Sequence, residues 1–161
     1  SALYLGQLAE AAGRSSEAMK YYNESANLET NPNDKSRAFM KIADSYRKGG
    51  NYGQARSFYN KALQVKPSNG RAYLHIANMM AQSANNCGES AFDKRAVYWL
   101  AANYASRAGQ VDPSLSGNAN EAVAAYRGRA PQKSDIFQEG KQGQTIRIGC
   151  WIGESVKVPS L

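Results

Sequence analysis

One histidine, two cysteines and five prolines are spread over 161 residues. Each scarcity removes a class of protein. A lone histidine, His75, cannot build a His₃ or Cys₂His₂ metal site. It also has no Gly-x-Ser-x-Gly elbow near it for a Ser-His-Asp arrangement. Two cysteines, Cys87 and Cys150, are too few for a disulfide-dense mini-domain. The low proline count and the absence of a Gly-x-y period exclude collagen-like and low-complexity chains. No apolar run approaches the roughly 20 residues that span a bilayer, and no secretory leader is visible. Neither a phosphate loop nor a Gly-x-Gly-x-x-Gly fingerprint occurs. The sequence therefore predicts no enzyme, no metal and no cofactor. The chain opens on Ser1-Ala2-Leu3 inside an apparent helix and without Met. It reads as an excised piece, whose missing N-terminus is the place for any targeting signal or membrane anchor.

What is present is alanine, tyrosine and positive charge. The net charge is +7. Residues 36–71 hold eight basic residues against one acid, Asp44, and the remainder is balanced. A segment with that excess attracts acidic partners. Solvated helix faces are often charged as well, so charge alone leaves the matter open.

Within the same segment, apolar residues recur at helical spacing. Phe39, Ile42 and Tyr46 share one face of a first helix. Ala43 and Ala55 are small enough for close approach of two helices. Tyr59 and Ala62 face back from a second helix, Gly49-Gly50-Asn51 supplies the turn, and Pro67 ends the pair. This pattern resembles the tetratricopeptide repeat, which sets large, small and aromatic residues at fixed offsets over about 34 positions. A weaker copy precedes it, carried by Leu5-Gly6, Gly13, Ala18, Tyr22 and Ser25, and broken at Asn31-Pro32-Asn33. A third begins at Gly70 with Tyr73, Ile76, Ala77 and Met80. Its second helix arrives late, after an insertion at 85–92, and has Ala105 where an aromatic is usual. Ser90-x-x-Asp93 reads as the capping box that starts this helix.

The resemblance implies a mainly α, right-handed helical-hairpin solenoid. Three helix pairs are expected at about 1–32, 36–69 and 70–113. A capping helix follows at 114–131, starting near Asn118 or Asn120 and ended by Pro131. A β-hairpin tail at 132–161 is expected to pack on the last helices, with strands at 144–151 and 154–158. The tail's Gly149-Cys150-Trp151-Ile152-Gly153 run is similar to endings of bacterial cell-envelope members of the repeat family. That likeness favours a periplasmic or outer-membrane-associated location over a cytoplasmic one. Cys87 and Cys150 are paired, stapling the tail to the insertion, or are buried free thiols, or include one reactive thiol.

In the family, first helices line a concave groove. The resemblance places Arg37, Lys41, Asp44, Lys48, Arg71, His75 and Asn78 on that side. Arginine holds carboxylates bidentately, so the expected partner is a protein or peptide segment, acidic in character. The Lys/Asn clamp that some members use on a C-terminal carboxylate is not reproduced, because Met40 and Asp44 occupy its Lys and first Asn positions. Asp44 could equally pair with Lys41 or Lys48 on its own helix. No RNA-binding fingerprint accompanies the basic segment, so nucleic acid is not an expected partner. Two functions remain: a non-catalytic peptide-binding module, or the C-terminal cap of a longer repeat array within an envelope assembly.

Overall fold

A computed structural model describes residues 1–161. The chain is mainly helical, with nine α-helices, one 3₁₀ turn and a single two-stranded antiparallel sheet. That is the helical-hairpin class the repeat pattern predicts. It divides into two compact units, Ser1–Ala72 and Tyr73–Leu161.

The first unit holds two helix hairpins, α1 (Ala2–Ala11) with α2 (Ser15–Leu28) and α3 (Pro32–Lys48) with α4 (Tyr52–Val65). The α1–α2 approach is close because position 6 has no side chain. A Cβ on Gly6 would stand 2.6 Å from Tyr22 Cδ1. Asn31 caps α3, its Oδ1 accepting from the backbone of Asn33 and Asp34, and Pro32 follows at the first turn. The α3–α4 turn places Gly50 at φ +79°, a conformation that costs glycine little. Ala38, Ala43, Ala55 and Ala62 are sealed between helices. Phe58 completes the hairpin, stacking on Tyr46 at 5.6 Å and tilting against Phe39 at 6.3 Å. Ser36 is buried among them. Its hydroxyl donates to the Ala62 carbonyl and accepts from the Asn69 amide, both at 3.0 Å.

Helix α5 (Gly70–Gln82) begins at the end of the first unit and continues into the second. The second unit then runs through a short α6 (Ala84–Cys87), the long α7 (Ala91–Val111), a 3₁₀ turn at Pro113–Leu115 and α8 (Ser116–Arg129). Ser90 caps α7, its hydroxyl accepting from Asp93 N–H at 3.0 Å. Ala96, Ala101, Ala105 and Ala108 are fully buried along α7. The missing aromatic at 105 therefore marks close packing.

Three details of the tail differ from expectation. Helix α8 starts at Ser116, before Asn118 and Asn120, because Asp112 already caps the preceding 3₁₀ turn by accepting from Ser114 N–H. The tail does not begin as a hairpin. It first forms α9 (Lys133–Glu139), started by a Gln132/Asp135 capping box and stopped by Gly140 at φ +62°. The strands β1 (Thr145–Ile148) and β2 (Glu154–Lys157) pair with Ile146 opposite Val156. Strand β1 ends three residues early. Cys150 takes a positive φ of 48°, which breaks extended structure, and residues 149–152 turn back onto the insertion.

Four contacts hold that turn and the start of the strand after it. Cys87 and Cys150 stand at disulfide distance, Cα to Cα 5.3 Å, across 63 residues. Gly149 N–H donates to the Cys87 carbonyl at 3.2 Å. The Trp151 indole N–H donates to Ser83 Oγ at 2.9 Å. Tyr104 on α7 donates to the Glu154 carboxylate at 2.7 Å. An isolated hairpin is marginal in water. Here Ile146, Ile148, Ile152, Val156 and Val158 are all buried beneath it.

Candidate protein-binding surface

Helix α3 carries Arg37, Lys41, Asp44 and Lys48, and the structure gives them different work. Asp44 faces inward to α4. The hydroxyl of Tyr59, a side chain with no exposed surface, donates to the Asp44 carboxylate. Arg47 Nε donates to the same hydroxyl at 2.9 Å, and its guanidinium lies 3.4 Å from Asp44. Burial and the Asp44 carboxylate raise the Tyr59 pKa well above the usual phenol value, against the opposing pull of Arg47. Asp44 is thus a partner of Tyr59 and Arg47, and its ion pair on α3 is with Arg47 in place of Lys41 or Lys48.

Lys41 and Lys48 are half-buried and exposed respectively, and both reach toward Glu10 on α1, at 3.9 and 3.7 Å. Tyr22 on α2 donates its hydroxyl to the same carboxylate. Its pKa is raised by burial first, then by the Glu10 hydrogen bond and charge. Glu10, Tyr22, Lys41 and Lys48 line a recess of about 390 Å³ together with Met19, Ser45 and Gly49. An incoming carboxylate must compete with Glu10 for both lysines. Neither interaction is strong at this exposure; such pairs contribute roughly 0.2–1 kcal/mol.

Arg37 and Arg71 are exposed and enter no ion pair. They are the two cations of the first unit's predicted set that no acid of the chain neutralises. His75 and Asn78 lie in the second unit. Asn78 Oδ1 accepts from Gln82 at 3.0 Å, and burial raises the pKa of Tyr126 above the usual phenol value. No cluster of three or more His, Cys, Asp or Glu is placed to hold a metal ion.

Comparison with known proteins agrees with the hairpin geometry. Residues 36–69 match the tetratricopeptide repeat family. That match falls on the α3–α4 hairpin and supports a tetratricopeptide repeat in this segment. The chain's curated relatives include the photosystem I assembly protein Ycf3 of Cyanophora paradoxa, at 30% identity over 102 residues, covering 58% of this chain and 59% of the relative. The same protein from Rippkaea orientalis matches at 30% over 102 residues, with 58% and 59% covered. That of Synechococcus elongatus matches at 30% over 105 residues, with 60% and 61% covered. The chain thus spans about three-fifths of the length of these relatives. They overturn the expected periplasmic or outer-membrane-associated location, because they are photosystem assembly proteins and not envelope proteins. No helix is long and apolar enough to cross a membrane.

Proposed function

We propose that the chain is a non-catalytic module that holds a segment of another protein, in the manner of an assembly factor. The repeat over 36–69 supports protein binding, and the photosystem I assembly proteins among its relatives support an assembly role. The observation that carries the choice of ligand is the contrast on the first unit's cations. Lys41 and Lys48 are partly spent on Glu10, and Arg47 on Asp44, whereas Arg37 and Arg71 stand exposed without a counter-ion. A guanidinium holds a carboxylate through two parallel hydrogen bonds, so the bound segment is acidic. Its carboxylates meet Arg37 and Arg71 first, then draw Lys41 and Lys48 away from Glu10. On this reading Asp44 leaves the binding set and becomes part of the support beneath it.

The test is affinity capture on immobilised full-length chain, wild type against Arg37→Glu with Arg71→Glu. Both sites are exposed, so the fold should persist, and equal thermal midpoints verify it. The double variant should lose the proteins that the wild type retains. Retention of all of them by the variant would remove the acidic-segment reading.

A further inference from the structure

The overall balance of charge outside residues 36–71 conceals a local imbalance. In the second unit, a recess of about 400 Å³ lies between α7, the α8–α9 junction and β2 with the residues after it. Its lining includes Arg127, Lys133 and Lys157 and no acidic side chain. None of the three enters an ion pair, and all three are exposed. Three of the unit's acids are engaged elsewhere: Asp135 with Arg95 at 3.1 Å, Asp93 with Lys141 at 3.6 Å, and Glu154 with Tyr104 at 2.7 Å. Three like charges lining one recess favour an anionic ligand there.

The floor between the cations is apolar. Trp99, half-buried and held edge-on by Phe92 at 5.9 Å, lines the recess with Ile136 and Val156. The volume is within the roughly 300–1,000 Å³ of ordinary ligand recesses. Helix α9 also presents Phe137, 75% exposed, beside Ile136 in sequence. An apolar floor contributes nothing to a bare phosphate. A single edge-packed indole is also a poor platform for successive bases, which stack on ring faces.

We propose that this recess binds a peptide segment of a partner protein in which glutamate or aspartate flanks a large apolar side chain. The apolar side chain covers Trp99, Ile136 and Val156, and the carboxylates meet Arg127, Lys133 and Lys157. The proposal rests on the reading of the chain as a protein-binding module and adds a second surface to it. The wall of the recess depends on the hairpin, whose turn is fixed to α6 through Cys87 and Cys150. The insertion and the tail thereby acquire a shared purpose, as the support of a binding wall.

The experiment is a titration of the full chain with an acetylated peptide of alternating Glu and Leu, followed by ¹⁵N–¹H correlation spectra. The chain has two tryptophans, and loss of a signal in Trp99→Phe identifies the Trp99 indole N–H. The Glu/Leu peptide should move that resonance, and a Gln/Leu peptide should not. Lys133→Glu with Lys157→Glu should weaken binding about tenfold or more, while Lys133→Arg with Lys157→Arg retains it. A Trp99 resonance unmoved at about 1 mM peptide, the range of the weakest specific complexes, overturns the proposal. So does a single-stranded oligonucleotide that moves it at equal or better affinity. Shifts confined to α3 overturn this recess and leave the protein-binding reading standing. An oligonucleotide that binds where no peptide does removes both.

Discussion

Replacing Asp44 with alanine separates a supporting role from a binding one. The Tyr59 side chain has no exposed surface, and its hydroxyl donates to Asp44 while accepting from Arg47 at 2.9 Å. Removing the carboxylate leaves a buried phenol without its acceptor. A hydrogen bond to a charged group contributes about 1.5–3 kcal/mol. Loss of the half-exposed Arg47 pair at 3.4 Å adds roughly 0.3–0.5 kcal/mol. The expected cost is about 2–3 kcal/mol, which lowers the melting midpoint of a chain this size by roughly 5–10 °C. Circular dichroism melts measure it directly. Asp44→Asn keeps an acceptor and should lose about half as much. Tyr59→Phe in the Asp44→Ala background should cost less than Tyr59→Phe alone, with a coupling above about 0.5 kcal/mol. An Asp44→Ala protein that melts with the wild type yet releases its partner would refute this reasoning and return Asp44 to the binding surface.

Five other perturbations have defined outcomes. Glu10→Gln releases Lys41 and Lys48 from a counter-charge while keeping an acceptor for Tyr22; affinity for an acidic peptide, read by calorimetry, should rise roughly two- to fivefold. Gly6→Ala drives a methyl into the Tyr22 ring and should cost about 1–3 kcal/mol in denaturant unfolding. Breaking the Cys87–Cys150 pairing with a dithiol reductant should cost about 4 kcal/mol by the chain-entropy relation for a loop of that length, and alkylation without reductant should label neither thiol. Tyr22 and Tyr59 both have raised folded-state pKa values. Their contribution is complete below the unfolded phenol value of about 10 and is lost as pH rises beyond it. Unfolding titrations above that pH should therefore show falling stability, with a shallower fall in Tyr22→Phe. Asp135 behaves oppositely. The Gln132 backbone N–H and then Arg95 hold its pKa low, so its contribution is present above about pH 4 and fades below.

Much of the fold was legible because the repeat writes its packing into local spacing. Phe39, Ile42 and Tyr46 fall three and four residues apart, and the alanines at 43, 55 and 62 mark where backbones meet. The Ser90 cap was equally visible, since it depends on residues three apart. Helix α9 was not. Its seven residues are too few for an apolar period, and its start depends on a Gln132/Asp135 box that lacks the usual Ser or Thr. Strand β1 was overextended because alternation continues through Cys150 and Trp151, while contacts with Cys87 and Ser83 from 63 and 68 residues away bend the chain. The neighbours of the expected binding residues were equally out of reach of local spacing. The resemblance placed Lys41, Asp44 and Lys48 on the groove side, but Glu10 and Tyr59, which contact them, arrive from other helices. The recess around Trp99 was hidden because Arg127, Lys133 and Lys157 are balanced by acids in the count outside residues 36–71 and converge only after the tail folds back.

The central claim is that a partner's acidic segment lies on α3 and the start of α5. Hydrogen–deuterium exchange of the full chain, alone and with a captured partner, measures it most directly. Protection is predicted across 37–48 and at the first turn of α5 around Arg71, and it should vanish in Arg37→Glu with Arg71→Glu. Undiminished exchange in those segments, with the partner bound elsewhere on the chain, would contradict it.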